Sequence, residues 1–289
     1  MNAIKRLIPN LLTAGNLIGG IFAILFTLTG NIEIAPLFIF ASAILDFLDG
    51  FIARLLKVPS EMGKQLDSLA DMVTFGVAPG LMIFVMMGGM AWFDFDNFIG
   101  QFEVIDRTIV GGEIIFPDDV ISATVVDLGY YKFLPFIAFL IPVFALFRLA
   151  KFNTDTRQTN DFIGLPTPAM TLFFAVLPIL IFNTYNGVLE GSIHFYSWEM
   201  TIAQSLESPL VLAFLSVIFS ILMVIELPLF SLKFKHIKWK GNEIRFIFLT
   251  ISLILLATLF LWAIPLIVIL YVILSLIITL IRKAKTDEI

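Results

Sequence analysis

The sequence predicts an all-α, polytopic integral membrane protein with about eight transmembrane helices. Apolar and aromatic residues make up 59% of its 289 residues, and charged residues make up only 14%. Soluble domains contain roughly 45–50% apolar residues and about 25% charged residues. The mean hydropathy is +1.00. Long unbroken apolar runs, each near the roughly 20 residues that a membrane-spanning helix needs, favour helices over the alternating strands of an outer-membrane barrel. A soluble or disordered chain is excluded.

The apolar residues fall into eight runs. They lie at 11–30, 35–56, 68–93, 131–150, 168–186, 209–231, 245–263 and 264–282. The last two runs meet at Ala263-Ile264-Pro265, which leaves open a tight hairpin or one long kinked helix. We expect a single membrane-embedded domain over 1–289, with external loops at 94–130 and 187–208. The first loop, which contains Gly111-Gly112, is either a small hairpin or a plain solvated loop.

Basic residues are distributed unevenly along this pattern. If the N-terminus is cytoplasmic, 16 of the 18 Lys and Arg residues fall on the cytoplasmic side, leaving only Arg107 and Lys132 outside. The positive-inside rule then predicts a protein of the cell membrane with both termini and the site on the cytoplasmic side. The net charge of −5 gives no reason to expect a nucleic acid partner, and the absence of Cys excludes disulfides and Cys-ligated zinc.

Four aspartates lie in or beside the second and third apolar runs: Asp46, Asp49, Asp67 and Asp71. An aspartate at the centre of a lipid-facing helix costs about 2.5–3.5 kcal/mol even on the mildest scale, so these side chains must face protein, water or cations. Asp46 and Asp49 share one helical face with Gly50 and Ala53. Asp67 and Asp71 are spaced i, i+4 and stack on the next helix. Water-exposed helix ends with paired charges are the alternative.

Converging carboxylates repel one another unless cations neutralise them. Oxygen ligands without nearby His or Cys favour Mg²⁺ or Mn²⁺ over zinc or copper. Two such ions would suit phosphoryl chemistry, Gly50 and Ala53 would leave room for a ligand, and Arg54 could face a phosphate. The sequence thus predicts a metal-dependent site for a diphosphate.

The aspartates belong to a longer motif, Asp46-x2-Asp49-Gly50-x2-Ala53-Arg54-x8-Gly63-x3-Asp67-x3-Asp71. It resembles the signature of the CDP-alcohol phosphatidyltransferase family at every specified position. The resemblance implies a membrane enzyme that transfers a phosphatidyl group from CDP-diacylglycerol to an alcohol and releases CMP. It further implies two divalent cations on the aspartates, Asp71 as the base for the incoming hydroxyl, and CDP-diacylglycerol bound by Gly50, Ala53, Arg54 and Gly63.

Five further blocks are similar to the branch of this family that uses L-serine, the bacterial phosphatidylserine synthases. They lie at 9–16, 66–80, 147–153, 162–169 and 232–235. The resemblance makes serine the expected acceptor, and we also expect a homodimer. The long 94–130 segment and Glu226 depart from the pattern.

Three residues near the end of the fourth run are candidates for acceptor binding: Arg148, Lys151 and Asn153. Arg148 offers a bidentate fork for a carboxylate, although membrane anchoring explains it almost as well and is the favoured explanation of Lys151. Asn153 could instead cap the helix. Thr13 and Asn16 are expected to make structural hydrogen bonds, with nucleotide contacts as the alternative.

Two rival functions remain open. One is the same chemistry with another alcohol, such as glycerol 3-phosphate or an inositol phosphate, for which clustered cations are expected. The other is a divalent cation transporter with the aspartates along its path. The absence of an internal repeat and the position of the aspartates near one surface argue against transport.

The charge asymmetry predicts the topology. Because the chain has no Cys, a single Cys introduced at Asp119 or Ser192 should react with an impermeant thiol reagent added outside intact cells. A Cys introduced at Ser60 or Lys238 should react only after the membrane is permeabilised. The reverse labelling pattern would overturn the orientation.

Overall fold

The structure, a computed structural model, describes residues 2–92, 108–110, 113–115, 131–154, 162–189, 197–230, 239 and 242–287. Its first helices are α1 (Asn2–Leu28), α2 (Ala35–Leu55), α3 (Glu61–Asp71) and α4 (Ala78–Met86), with a π-helical segment (Met72–Val77) between α3 and α4. The later helices are α5 (Leu140–Thr154), α6 (Thr167–Leu189), α7 (Ser197–Glu207), α8 (Pro209–Val224), α9 (Glu243–Leu259) and α10 (Ala263–Asp287).

Short elements fill the connections between the helices. The 3₁₀ segments are Gly89–Trp92, Tyr131–Phe139 and Phe260–Trp262. Strands β1 (Thr108–Val110) and β2 (Glu113–Ile115) pair antiparallel, which agrees with a hairpin in the 94–130 segment. Strands β3 (Phe162–Ile163) and β4 (Pro228–Leu229) also pair antiparallel and join the segment after α5 to the one after α8. The prediction of an all-α polytopic fold is confirmed.

The helices α3–α4 and α6 lie at the centre of the bundle. The spans Glu61–Met86 and Thr167–Gly187 have 61% and 67% of their most apolar windows buried, against 28% or less for the other long spans. α1 and α2 pack together along their length, and α1 also contacts α3, the π segment and α4. The outer faces remain apolar, as at Phe47 and Leu55 of α2, which are both about two thirds exposed. Such a surface suits lipid.

Six stretches of the described chain are long and apolar enough to cross a membrane, or seven if α7 and α8, which meet at 81°, form one span. The prediction of eight spans stays a prediction. Residues 243–281 form one of the six stretches by hydropathy, yet they double back at Phe260, whose φ is +49°. The rings of Phe248 and Tyr271 lie 5.8 Å apart, which a straight helix would not allow. The tight-hairpin alternative is therefore the one observed.

Several predicted boundaries were wrong because hydropathy marks the lipid-buried part of a helix, not its ends. α1 begins at Asn2 instead of residue 11, and α3 begins at Glu61 because Ser60 caps it, its hydroxyl accepting from the Gly63 N–H at 3.0 Å. The sixth run ends early: the helix stops at Val224, before Pro228.

The segment at 187–208, predicted as an external loop, is helical over much of its described length, and its position outside the membrane stays a prediction. α6 runs on to Leu189, and Ser197–Glu207 form α7. α7 buries Ala203 and exposes polar residues such as Thr201 and Gln204. Its polar residues lower the average hydropathy, which hid the helix from a search for apolar runs.

The π-helical segment follows directly from Asp71 and was not predicted. Proline has no N–H, so Pro79 cannot bond the carbonyl of Phe75 in an α-helical register. The chain widens into i, i+5 bonding, with the Ala78 N–H donating to the Val73 carbonyl. The Phe75 carbonyl, which cannot accept from Pro79, accepts the Thr171 hydroxyl of α6 at 2.7 Å. The central helices are thus tied together one turn beyond Asp71.

α1 approaches the π segment through Gly20. A Cβ added at Gly20 would lie 2.3 Å from Thr74 Oγ1 and 2.8 Å from Thr74 Cα. The nearby Thr74 hydroxyl donates to the Asn16 carbonyl at 3.0 Å. Only glycine therefore allows this approach of two backbones.

Gly20→Ala should lower the thermal stability of the detergent-purified protein. The new methyl group meets backbone, and overpacking of this kind costs about 1–3 kcal/mol, so thermal unfolding should show a clear fall in Tm. Gly15→Ala is the matched control on the same helix, since its Cβ would meet only the flexible Leu45 side chain at 3.1 Å. Equal Tm values for the two variants would contradict this explanation.

Candidate active site

The site is formed where α2 ends and α3 begins. α2 ends at Leu55, and Lys57 adopts a left-handed φ of +55° that turns the chain. The Val58 N–H returns to the Ala53 carbonyl at 3.0 Å, and Ser60 starts α3. This short turn reverses the chain, so the side of α2 that carries Asp46 and Asp49 faces the side of α3 that carries Asp67.

Three of the four aspartates form a tight group. Carboxylate oxygens of Asp46, Asp49 and Asp67 all lie within 4.8 Å of one another. Asp71 lies outside this group of three, but its carboxyl is within hydrogen-bonding reach of Asp46. Asp49 and Asp71 are buried, whereas Asp46 and Asp67 are half-buried. The structure thus brings together all four residues that the sequence singled out.

α1 supplies hydrogen-bond donors to two of these carboxylates. The Thr13 hydroxyl donates to Asp49 Oδ2, and the Asn16 amide donates to Asp71 Oδ1 at 3.1 Å. Both α1 side chains are buried. The expectation of structural hydrogen bonds for them was right in kind, but it missed that their partners are the aspartates. Their i, i+3 spacing on a helix packed against the motif could have indicated it.

A cavity of about 540 Å³ opens beside the acidic group. Its walls come from the start of α1, the end of α2 and the start of α3. It is lined by Pro9, Asn10, Thr13, Asp49, Gly50, Ala53, Arg54, Val58, Pro59, Ser60, Glu61, Gly63, Lys64 and Asp67.

All four residues predicted to bind CDP-diacylglycerol line this cavity: Gly50, Ala53, Arg54 and Gly63. The Arg54 guanidinium folds back over Gly50, where an added Cβ would lie 3.5 Å from its nearest nitrogen. Lys64 also lines the cavity. The cavity is therefore lined by two basic side chains and by two aspartates of the motif, Asp49 and Asp67. This arrangement suits a diphosphate held between positive side chains and a bound metal.

The three predicted acceptor residues do not contribute to this lining in the described part of the chain. Arg148 is buried, its Nε donates to the Leu165 carbonyl at 3.2 Å, and its guanidinium lies 5.3 Å from the centre of the Phe152 ring. Lys151 makes a 2.9 Å ion pair with Glu226. That pair accounts for the glutamate that interrupts the sixth apolar run.

Asn153 joins α5 to α3. Its side-chain amide donates to Ser68 Oγ at 2.7 Å, and its backbone carbonyl accepts from Lys64 Nζ at 3.0 Å. Ser68 lies one turn before Asp71 on α3, so α5 ends close to the acidic group even though its side chains lie outside the cavity. Acceptor binding by this helix stays a prediction.

The donor set of the acidic group fits a hard divalent cation. It offers three carboxylates, two of them half-buried, with oxygens close enough to share an ion. Neither His nor Cys belongs to the group. Oxygen-only ligand sets of this kind select ions such as Mg²⁺, Mn²⁺ or Ca²⁺.

Comparison with known proteins identifies the family. The sequence pattern of the CDP-alcohol phosphatidyltransferase family matches residues 6–99, which include the whole aspartate motif. A CDP-diacylglycerol–serine O-phosphatidyltransferase of Bacillus subtilis is 34% identical over 186 residues, covering 63% of this chain and 78% of the relative. The chain belongs to the CDP-alcohol phosphatidyltransferase family.

Two further relatives have the same name. The Helicobacter pylori protein is 31% identical over 252 residues, 86% of this chain and 81% of its own length. The Saccharomyces cerevisiae protein is 50% identical over a shorter stretch of 64 residues, 21% of this chain and 23% of its own. Similarity to the Helicobacter protein therefore extends well beyond the aspartate motif that defines the family.

Removing one carboxylate from the acidic group should weaken metal binding. We expect Asp49→Asn to lower the affinity of the purified protein for Mn²⁺, measured by electron paramagnetic resonance, by at least about tenfold, because even residues behind a metal ligand contribute 10–100-fold. Glu61→Gln is the control, since it removes a carboxylate from the same cavity wall but outside the group. Equal Mn²⁺ affinities for the two variants would contradict the assignment.

Proposed function

We propose that this protein transfers the phosphatidyl group of CDP-diacylglycerol to L-serine, giving phosphatidylserine and CMP in phospholipid biosynthesis. The observation that carries the proposal is the meeting of the four motif aspartates, two of which, Asp49 and Asp67, line a cavity together with Gly50, Ala53 and Arg54. The names of relatives that cover most of the chain support serine as the acceptor.

The nucleotide half of the substrate fits the cavity. Small residues at 50 and 53 leave the wall of α2 open, and Arg54 and Lys64 can face the negative oxygens of a diphosphate. The carboxylates at 46, 49 and 67 would hold two divalent cations, Mg²⁺ or Mn²⁺, with Asp71 completing the set. When bound, such ions neutralise charge that builds up on the diphosphate.

The transfer is a substitution at phosphorus. The serine hydroxyl oxygen forms a bond to the phosphorus that carries diacylglycerol, and the bond from that phosphorus to the CMP oxygen breaks. Asp71 accepts the hydroxyl proton, and CMP leaves. Asp71 suits this role because it is buried, lies beside the group of three and is held by Asn16.

Arg148, Lys151 and Asn153 would serve the acceptor. The carboxylate of serine needs a cation, and a guanidinium can bind it with two parallel hydrogen bonds. Arg148 stands on α5, whose end is tied to α3 near Asp71 by the Asn153–Ser68 bond. Its Nε is engaged with Leu165, so the two terminal nitrogens would face the acceptor.

We further propose that the site opens to the cytoplasm and that both termini lie on that side, since 16 of the 18 basic residues follow this orientation. CDP-diacylglycerol would then enter from the surrounding lipid while serine arrives from water. The homodimer stays a prediction.

Purified protein in mixed micelles with CDP-diacylglycerol should release CMP in proportion to added serine and form phosphatidylserine. The assay offers labelled serine, glycerol 3-phosphate and an inositol phosphate in separate reactions and identifies the lipid product. Serine should be the preferred acceptor. A phosphorylated alcohol used in preference to serine would overturn the acceptor, and transport of divalent cations without CMP release would overturn the enzyme.

Two variants separate the proposed roles in the same assay. Asp71→Asn should keep CDP-diacylglycerol binding and lower kcat by about 10²–10⁴-fold, the usual range for a lost general base. Arg148→Lys should raise the KM for serine, because a point charge replaces a fork, while leaving the KM for CDP-diacylglycerol unchanged. A change confined to the nucleotide would move Arg148 to the diphosphate side.

A further inference from the structure

Asn16 is a fully buried amide that is only partly satisfied. Its Nδ2 donates to Asp71 Oδ1 at 3.1 Å, while its Oδ1 has no donor in the described part of the chain. A carboxylate can only accept hydrogen bonds, so the bond to Asp71 decides which end of the amide points to it. Burial of an acceptor without a hydrogen-bond partner is unfavourable. The amide nevertheless points its Nδ2 at Asp71 and leaves its Oδ1 without a donor in the described part of the chain.

Helix packing does not account for this side chain. The backbone carbonyl of Asn16 already accepts the Ser42 hydroxyl of α2 at 3.1 Å and the Thr74 hydroxyl of the π segment at 3.0 Å. These two bonds tie α1 to both helices that carry aspartates, and they would form with any residue at position 16. The amide therefore adds one thing to the structure, a donor to Asp71.

The position of that donor matters because Asp71 is the last residue before the π-helical segment. The chain changes its register there, so the α3 backbone alone does not hold the direction of the side chain. The carboxyl also faces Asp46 and Asp67, which carry the same charge and push it away. The Asn16 amide gives the carboxyl a fixed hydrogen-bond partner at 3.1 Å, so the direction of the side chain is not left to this repulsion alone.

We propose that Asn16 is a positioning residue for the reaction, holding the Asp71 carboxyl in the orientation in which it accepts the serine proton. This inference rests on the proposed function. Asn16 acts through Asp71, so its loss should affect the rate of the chemical step and leave substrate binding largely unchanged.

Asn16→Leu, of similar volume, removes the donor. We expect kcat to fall by up to about 10²-fold, the loss associated with a misplacement of about 1 Å, with the KM for CDP-diacylglycerol unchanged. Ser42→Ala is the matched control: it removes a hydrogen bond to the same residue but leaves the amide on Asp71, so it should lower Tm with kcat unchanged. If Asn16→Leu does not fold, Asn16→Ala tests the same donor.

The decisive measurement combines the substitution with Asp71→Asn. If Asn16 acts through Asp71, adding Asn16→Leu to Asp71→Asn should cause no further loss of kcat, since the two changes remove one function. Losses that multiply would overturn the proposal, as would a kcat for Asn16→Leu within about twofold of wild type. Recovery of Asn16→Leu at raised Mg²⁺ would also overturn it and assign the amide to metal binding.

The test is distinct from that of the proposed function. A wild-type protein that forms no phosphatidylserine refutes the proposed reaction. A wild-type protein that forms phosphatidylserine, together with a fully active Asn16→Leu variant, refutes only the positioning role.

Discussion

The mutual repulsion of four carboxylates inside a lipid-facing bundle is the constraint on which the rest of the structure depends. Each aspartate would be costly against lipid, and four of them together repel one another. The bundle accommodates them by placing them on facing sides of α2 and α3, by opening a cavity beside Asp49 and Asp67, and by supplying donors from α1. A divalent cation would complete this arrangement, since it would neutralise charge that neutral donors cannot.

α1 has two functions in this arrangement. Gly19 and Gly20 let it approach α2 and the π segment so closely that a methyl group would collide with either. Within the same stretch it presents Thr13 and Asn16 to Asp49 and Asp71. Close packing and donor placement depend on each other, because a side chain as short as threonine reaches a neighbouring carboxylate only when the backbones are close. The packing of α1 thus determines the geometry of the acidic group.

The two halves of the proposed reaction are built differently. The nucleotide side is a cavity whose wall is set by small residues, and its cations lie on exposed side chains. The proposed acceptor side would depend on α5, which contacts α3 through Asn153 and is held by the Lys151–Glu226 ion pair. Glu226 follows α8, and the β3–β4 pair brings that segment beside the chain that leaves α5. The acceptor side is thus assembled from segments far apart in sequence.

The sequence by itself determined the fold class, the family and the set of acidic residues. Hydropathy indicates which segments face lipid. The aspartate motif spans only 26 positions in two adjacent helices, so helical spacing decides which of its residues share a face. For the same reason the four residues expected to bind the nucleotide do line one cavity. Hydropathy could not detect α7, whose polar face lowers the average, or locate the start of α3, which depends on a cap.

Only the tertiary structure decided what surrounds the carboxylates. Thr13 donates to Asp49, which is 36 residues away along the chain, and Asn16 donates to Asp71, which is 55 residues away. Both bonds depend on how α1 packs against the other helices. The hydrogen bond from Thr171 of α6 to the Phe75 carbonyl in the π segment likewise joins residues far apart in sequence. Arg148, whose residue type suggested a free cation, proved to be buried with its Nε on Leu165. Local spacing decides which side chains share a helix face, whereas hydrogen-bond partners across helices are decided by the packing of the whole bundle.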